Sequence, residues 1–286
     1  MSVVISPSEK ATQVVSGVAE ITFDRRDGTT RLAHLYHHDP LRVLFPRADD
    51  PATPVAVLAM TSGGLVGGDR LAIAATVGED ASALFATQSA EKVYRSMGMD
   101  CRVEVGLTVG RGGWMEWLPH ESILFQGARL RRRTVADVAA GGRLMAAEAI
   151  VLGRTARGEQ LTRGLARDAW EIRRQGRLVW ADALHLEGDL ARLIADPAGL
   201  DGAVALATFV HVTDDAAEHL DLARALLPAN DEGALKAGAT VVNGVLVARW
   251  LARDAFVLRA SFGAFWAGFR QRAGGKAGGL PRLWSI

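Results

Sequence analysis

The chain has 286 residues, 49% of them hydrophobic and 23% charged, the balance of a soluble globular protein rather than a disordered or fibrous one. Its 33 Lys and Arg offset 32 Asp and Glu, leaving +1, so charge excludes a general nucleic-acid binder. The one cysteine, Cys101, excludes an internal disulfide framework and every CxxC-type zinc or redox site.

From the N-terminus, MSVVISPSEKA lacks a basic region followed by an apolar stretch, so no secretory signal is expected. The first two thirds then read as β structure. Short runs rich in Val, Leu, Ile and Thr lie at residues 55–60, 71–77, 83–87, 102–109, 114–118, 128–135, 143–152 and 178–186. Turn signals separate them, among them Asp27-Gly28, Gly63-Gly64, Gly67-Gly68, Gly110 to Gly113, Gln126-Gly127 and Gly141-Gly142. Strands so close together, without helical patterns between, predict an antiparallel or solenoid-like all-β body. No repeat of the propeller or leucine-rich type is present.

Helices are expected late. Residues 216–227 place Leu220, Ala223 and Leu227 at helical spacing, with Pro228 as a stop. Asn230 is positioned to cap a short second helix ending at Gly238. In residues 241–251, Asn243-Gly244 between apolar flanks signals a hairpin. After Asp254, Leu258, Phe262, Phe265 and Phe269 form one apolar helix stripe, read as core or as a docking face. A Gly-rich tail, 274–279, precedes an aromatic anchor at 281–286. No domain boundary stands out, so residues 1–286 are read as a single domain. The longest apolar stretches, 144–152 and 241–251, are broken by Glu148, Asn243 and Arg249. Both fall short of the roughly 18 residues of a membrane span, and a cytoplasmic protein is expected.

The chain carries no GxxxxGK[ST], no GxGxxG after a strand, no HExxH and no GxSxG. The glycine-dense TSGGLVGGDR, with its loop from Gly63 to Asp69, lacks a lysine and is followed by a β-like run, so a tight loop is the plainer reading. The alternative is a β-rich enzyme holding an anionic substrate on that loop, with Glu148 or Glu116 as acid or base. His34, His37 and His38 in an extended stretch cannot close on one ion, because His34 and His38 would lie about 13 Å apart. Alternation places Glu148 among Leu144, Ala146, Ile150 and Leu152, and Glu116 beside Trp114 and Leu118. A carboxylate so placed needs an Arg partner or a raised pKa. Arg129, Arg131 and Arg133 share a strand face, either as solvated charge or as a grip on carboxylates of a partner.

Six ordered segments together resemble the urease accessory protein family UreD, also called UreH. They are TRLAHLYHHDPLRV from Thr30, TSGGLVGGDRL from Thr61, ATQSAEKVYRS from Ala86, WMEWLPHESILFQGARL from Trp114, EAIVLGRTARGE from Glu148 and the ending PRLWSI from Pro281. The resemblance implies a mainly β fold of two stacked layers, antiparallel or β-helix-like, with a few helices toward the C-terminal part. It implies a non-catalytic scaffold in nickel delivery, without a tightly bound cofactor, that binds UreF, through it the GTPase UreG, and apo-urease. It further implies a hetero-oligomer, a dimer of heterotrimers, with no nucleic acid or membrane partner, and transient Ni2+ passage along an internal channel. A conduit must bind its ion weakly at several points. Glu148, Glu116, Asp69 and Glu91 are the candidate positions along it, the last two because they fall inside the segments GGDRL and SAEKVYRS.

Overall fold

In the computed structural model, which describes residues 14–229 and 234–285, the chain winds between two stacked sheets. A hairpin of β1 (Ser16–Arg26) and β2 (Thr29–His38) comes first, then β3 (Leu41–Leu44) and β4 (Val55–Met60). Three coils follow. The first runs β5 (Arg70–Val77), β6 (Ser82–Thr87) and the short β7 (Glu91–Val93); the second runs β8 (Cys101–Val109), β9 (Trp114–Leu118) and the short β10 (Ser122–Leu124). The third pairs β11 (Arg129–Val138) with β12 (Arg143–Leu152). A hairpin of β13 (Leu165–Arg174) and β14 (Arg177–Glu187) is followed by α1 (Leu190–Ala195), β15 (Ala205–Val212), α2 (Leu220–Leu226), β16 (Leu235–Val242), β17 (Val245–Ala252) and α3 (Ala255–Gly274).

The first sheet has the order β14-β13-β11-β8-β5-β1-β2, the second β16-β17-β15-β12-β9-β6-β4-β3, with β7 and β10 attached beside β12. Strands β5, β8, β11 and β13 pair in parallel, as do β4, β6, β9 and β12. Antiparallel pairing is confined to the flanks. Of the two predicted arrangements, the solenoid-like one describes the body.

What makes the coil is one turn used three times. Val77, Val109 and Val138 each end a first-sheet strand, and after four intervening residues the chain enters the second sheet. The turns close by Ala81 N–H to Gly78 O, Gly113 N–H to Gly110 O and Gly142 N–H to Ala139 O. The third turn residue is left-handed each time: Asp80 (φ 53°), Gly112 (φ 66°) and Gly141 (φ 70°), a region open to Gly and tolerated by Asp. Each turn bonds the one beneath, Gly110 N–H to Val77 O and Ala139 N–H to Val109 O, so identical geometry stacks.

Two cores result. One fills the space between the sheets, with Leu107, Met115, Trp117 and Ile150 among its members. The other lies between the outer face of the second sheet and α3. Asp254 caps α3 by accepting from the backbone N–H of Phe256 and Val257, and Leu258, Phe262, Phe265 and Phe269 pack on Phe209 and Trp250. The stripe is therefore core and unavailable for docking.

Residues 216–227 hold a single 3-10 turn, Ala216–His219, leading into α2. The helix expected to end at Gly238 is replaced by β16; its start at Asn230 lies outside the described residues. Leu235, Ala237, Ala239 and Val241 alternate toward the helix layer, a period of two that overrides the cap signal. Asn243 and Gly244 (φ 49° and 78°) form the hairpin turn with β17. The aromatic anchor at the C-terminus is seated on the chain's own core. Trp284 is buried, stacks on His120 at 5.0 Å and donates from Nε1 to Leu118 O; the anchor residue Ile286 lies outside the described residues. No helix among the described residues is long and apolar enough to cross a membrane.

Candidate functional site

Polar groups gather in the inter-sheet core where β7 and β10 interrupt the coil. Along β11, Leu130, Arg132, Thr134, Ala136 and Val138 point inward, and along β12 Glu148 does the same. Arg132 Nη1 lies 2.6 Å from Glu148 Oε2, while Nε and Nη2 donate in parallel to Asp168 Oδ1 and Oδ2, both at 2.9 Å. Nη1 also donates to Ser122 Oγ at 3.1 Å, and Trp117 Nε1–H donates to Glu148 Oε1 at 3.0 Å. Three strands thus hold one guanidinium between two carboxylates, all buried. Burial raises the Glu148 carboxyl above the usual range, and Asp168 pushes the same way against the pull of Arg132.

Two cavities of about 300 Å³ each meet at this cluster. The first extends from Arg132 and Glu148 to a mouth formed by the glycine loop (Ser62, Gly63, Gly64) and by Gln88 to Lys92. The second runs from Glu148 and Asp168 past Trp170 and Thr208 to Asp182 and Arg249, which pair at 2.6 Å at the surface. Glu148 lines both.

The four carboxylates predicted for a path are placed differently from one another. Glu91 lines the first cavity, and burial raises its carboxyl to about 7, with Asp69 adding to the rise. Asp69 itself is buried and fastens the glycine loop, Oδ1 accepting from Val15 N–H (2.9 Å) and Oδ2 from Val66 N–H (2.8 Å). Glu116 is on the opposite face of the second sheet, under α3, and lines neither cavity. Both its oxygens accept from Arg270 Nε, at 2.8 and 2.7 Å, and Trp114 Nε1–H donates to it at 2.9 Å. The structure brings Glu148 and Glu91 to one cavity and separates Glu116 and Asp69 from it. Among the described residues no three His, Cys, Asp or Glu side chains come together to hold a metal ion.

Arg132 and Asp168 carry no mark in a scan for motifs. The signal for Arg132 is its phase: it alternates with Arg131 and Arg133, so it points inward beside Leu130 and Thr134. The outward arginines are satisfied within the chain. Arg129 and Arg131 share Asp100, Arg129 also holds Glu187, and Arg133 pairs with Glu171. The face is thus laced by internal ion pairs, with Arg131 and Arg133 still partly exposed.

The glycine loop is no anion cradle. Its amides turn inward, Leu65 N–H to Lys92 O, Val66 N–H to Asp69 and Gly68 N–H to Asp100 O. Glycine is required at position 64 because a Cβ there would sit 2.6 Å from Lys92 O. The adjoining cavity presents Glu91 and Glu148 together with Lys92 and Arg132, a lining of mixed charge rather than a cationic cradle for an anionic substrate.

A family model described as UreD urease accessory protein matches residues 15–285. The chain is 46% identical over 277 residues to the urease accessory protein UreD of Magnetococcus marinus, covering 96% of this chain and 95% of that one. It is 44% identical over 259 residues to the protein of that name from a Methylobacterium strain (90% and 89% covered). A third such relative, from Rhodopseudomonas palustris, is 41% identical over 266 residues (92% and 91%).

Proposed function

The chain belongs to the UreD family of urease accessory proteins, with a role in urease maturation, and on that premise we propose that it conducts Ni2+ between its two sheets toward apo-urease. The observation that carries this reading is the meeting of two cavities at Glu148, one opening at the glycine loop and the other at Asp182 and Arg249. In this reading the chain is a non-catalytic scaffold of the cytoplasm. UreF docks on it, UreG is recruited through UreF, and the three assemble as a dimer of heterotrimers against apo-urease.

The chemistry of the passage suits transit. Glu91 at the first cavity and Glu148 at the junction offer oxygen donors to a divalent cation. Glu148 already holds Arg132 and Trp117, so an arriving ion competes for its oxygens and is bound weakly there. The apolar walls between Glu91 and Glu148, Leu58, Val105 and Trp117 among them, offer the ion no ligand.

The test is urease activation in cells carrying a urease cluster with this gene deleted and then restored, nickel in the purified urease being read beside activity. The expected result is apo-urease on deletion and nickel-loaded urease on restoration. Restoration with Glu148→Gln, which keeps the shape and removes the charge, is expected to lower urease nickel severalfold. Fully loaded urease from the deletion strain would refute the role in delivery, and full loading with Glu148→Gln would refute the passage.

A further inference from the structure

A passage for a dication should not be blocked by a positive charge, yet the junction of the two cavities is filled by one. Arg132 is buried, lines the first cavity and spans Glu148 to Asp168, the two carboxylates that face the second. We propose that Arg132 is a tethered cation that closes the passage at rest, and that a divalent cation crosses only by taking the guanidinium's place on Glu148 and Asp168. The inference rests on the passage reading above and adds its gate.

Charge balance supports an exchange. With both carboxylates ionised, one guanidinium leaves the cluster one negative charge in excess, in a place shielded from water where an uncompensated charge is costly, and at rest a proton on Glu148 relieves it. A dication in its place neutralises both carboxylates, whereas a monovalent ion only reproduces what Arg132 already supplies. The gate therefore favours divalent ions.

The displaced side chain has somewhere to go. Nη1 already donates to Ser122 Oγ, and Ser122 is the register partner of Glu91 in the β10–β7 pair. Glu91 faces the same cavity, and no side chain forms an ion pair with it among the described contacts; what favours its ionised form is the backbone N–H and the charge of Lys92. A swing from Glu148 toward Glu91 moves the guanidinium into the first cavity while Ser122 keeps hold of it. The flexible stem of Arg can make that move without shifting the strand.

The experiment titrates the full chain with nickel chloride by equilibrium dialysis. The native chain is expected to bind weakly. In Arg132→Gln the two carboxylates lose their internal competitor, and affinity is expected to rise by roughly tenfold or more. The gain should vanish in Arg132→Gln with Glu148→Gln. A folded Arg132→Gln chain, checked by circular dichroism, that binds nickel no tighter than native overturns the gate.

Should that variant not fold, Arg132→Lys keeps the charge, but its single ammonium cannot span both carboxylates. A smaller gain is expected, and a folded chain without one also overturns the proposal. The cellular result keeps the two ideas separate. If Glu148→Gln starves urease of nickel while the Arg132 variants gain no affinity, the passage stands and the gate falls. If Glu148→Gln loads urease fully, the passage itself falls.

Discussion

At the scale of single residues, Glu91, Glu148 and His211 carry the largest shifts among the carboxyls and imidazoles and weigh most in how stability depends on pH, and they do not act in one direction. Burial raises Glu91 to about 7, above its ordinary 4.5, so the folded chain holds a proton there that the unfolded chain has released. That contribution is complete below pH 4.5 and is lost as pH rises through about 7. Glu148, also raised, acts the same way. His211 opposes them: burial lowers it to about 3 from 6.5, and its contribution is lost as pH falls below 6.5. Glu91→Gln removes one of the two terms that weaken the fold on going from pH 4.5 to 7. The urea midpoint of this variant is expected to decline less over that window than that of the native chain. Equal slopes would mean that Glu91 ionises as freely folded as unfolded. Glu148 was legible in the sequence because a lone acid in a run of apolar residues betrays itself. Arg132 was not, because Arg-rich composition hides one inward arginine among outward ones.

At the scale of elements, the second sheet separates two buried ion pairs that look alike in sequence. Glu116 and Glu148 each sit in an apolar strand and each receive an indole N–H and a guanidinium. Parity decides their roles: Glu116 shares its face with Trp114 and Leu118 under α3, whereas Glu148 shares its face with Leu144 and Ile150 between the sheets. Glu116→Ala strands a buried Arg270 and is expected to cost about 3–5 kcal/mol in urea unfolding. Nickel delivered per folded molecule should be unchanged. A loss of delivery beyond the loss of folded chain would place Glu116 on the path after all.

The same sheet explains what could be read of the fold. Strands β9 and β12 are buried on both faces, so they appear as continuous apolar runs, typical of parallel sheets yet silent about direction. Strands β13 and β15 escaped notice, the first because Arg167, Asp168 and Glu171 break its apolar pattern, the second because Thr208 and His211 interrupt its apolar run. The coil repeat of roughly 30 residues survives only in the turns after Val77, Val109 and Val138, too little for a repeat search to find.

At the scale of the whole molecule, the C-terminal tail returns to His120, a residue that lines the first cavity. His120 lines that cavity, with Nδ1 3.0 Å from Thr87 O and Nε2 3.2 Å from Leu283 O. Trp284 stacks on the imidazole, and the Arg259 guanidinium lies 5.3 Å from the centre of its indole. Upstream, Gly274 lets the chain pass so close to Trp114 that a Cβ would stand 2.4 Å from the ring. A tail so engaged is held by the chain's own core.

Removing residues 281–286 therefore takes a buried tryptophan from the isolated chain, a loss of about 3–5 kcal/mol on the scale of large-to-small core changes. Trp284→Ala should reproduce most of it, since the indole supplies the stack, the hydrogen bond to Leu118 O and the packing on Phe262. The thermal midpoint of either variant, measured without any partner, is expected to fall by several degrees. An unchanged midpoint would mean that the tail lies free in solution and gains its order elsewhere. A lowered midpoint, with nickel delivery restored once the chain is stabilised at lower temperature, would make the tail a brace for the cavity wall rather than a part of the passage.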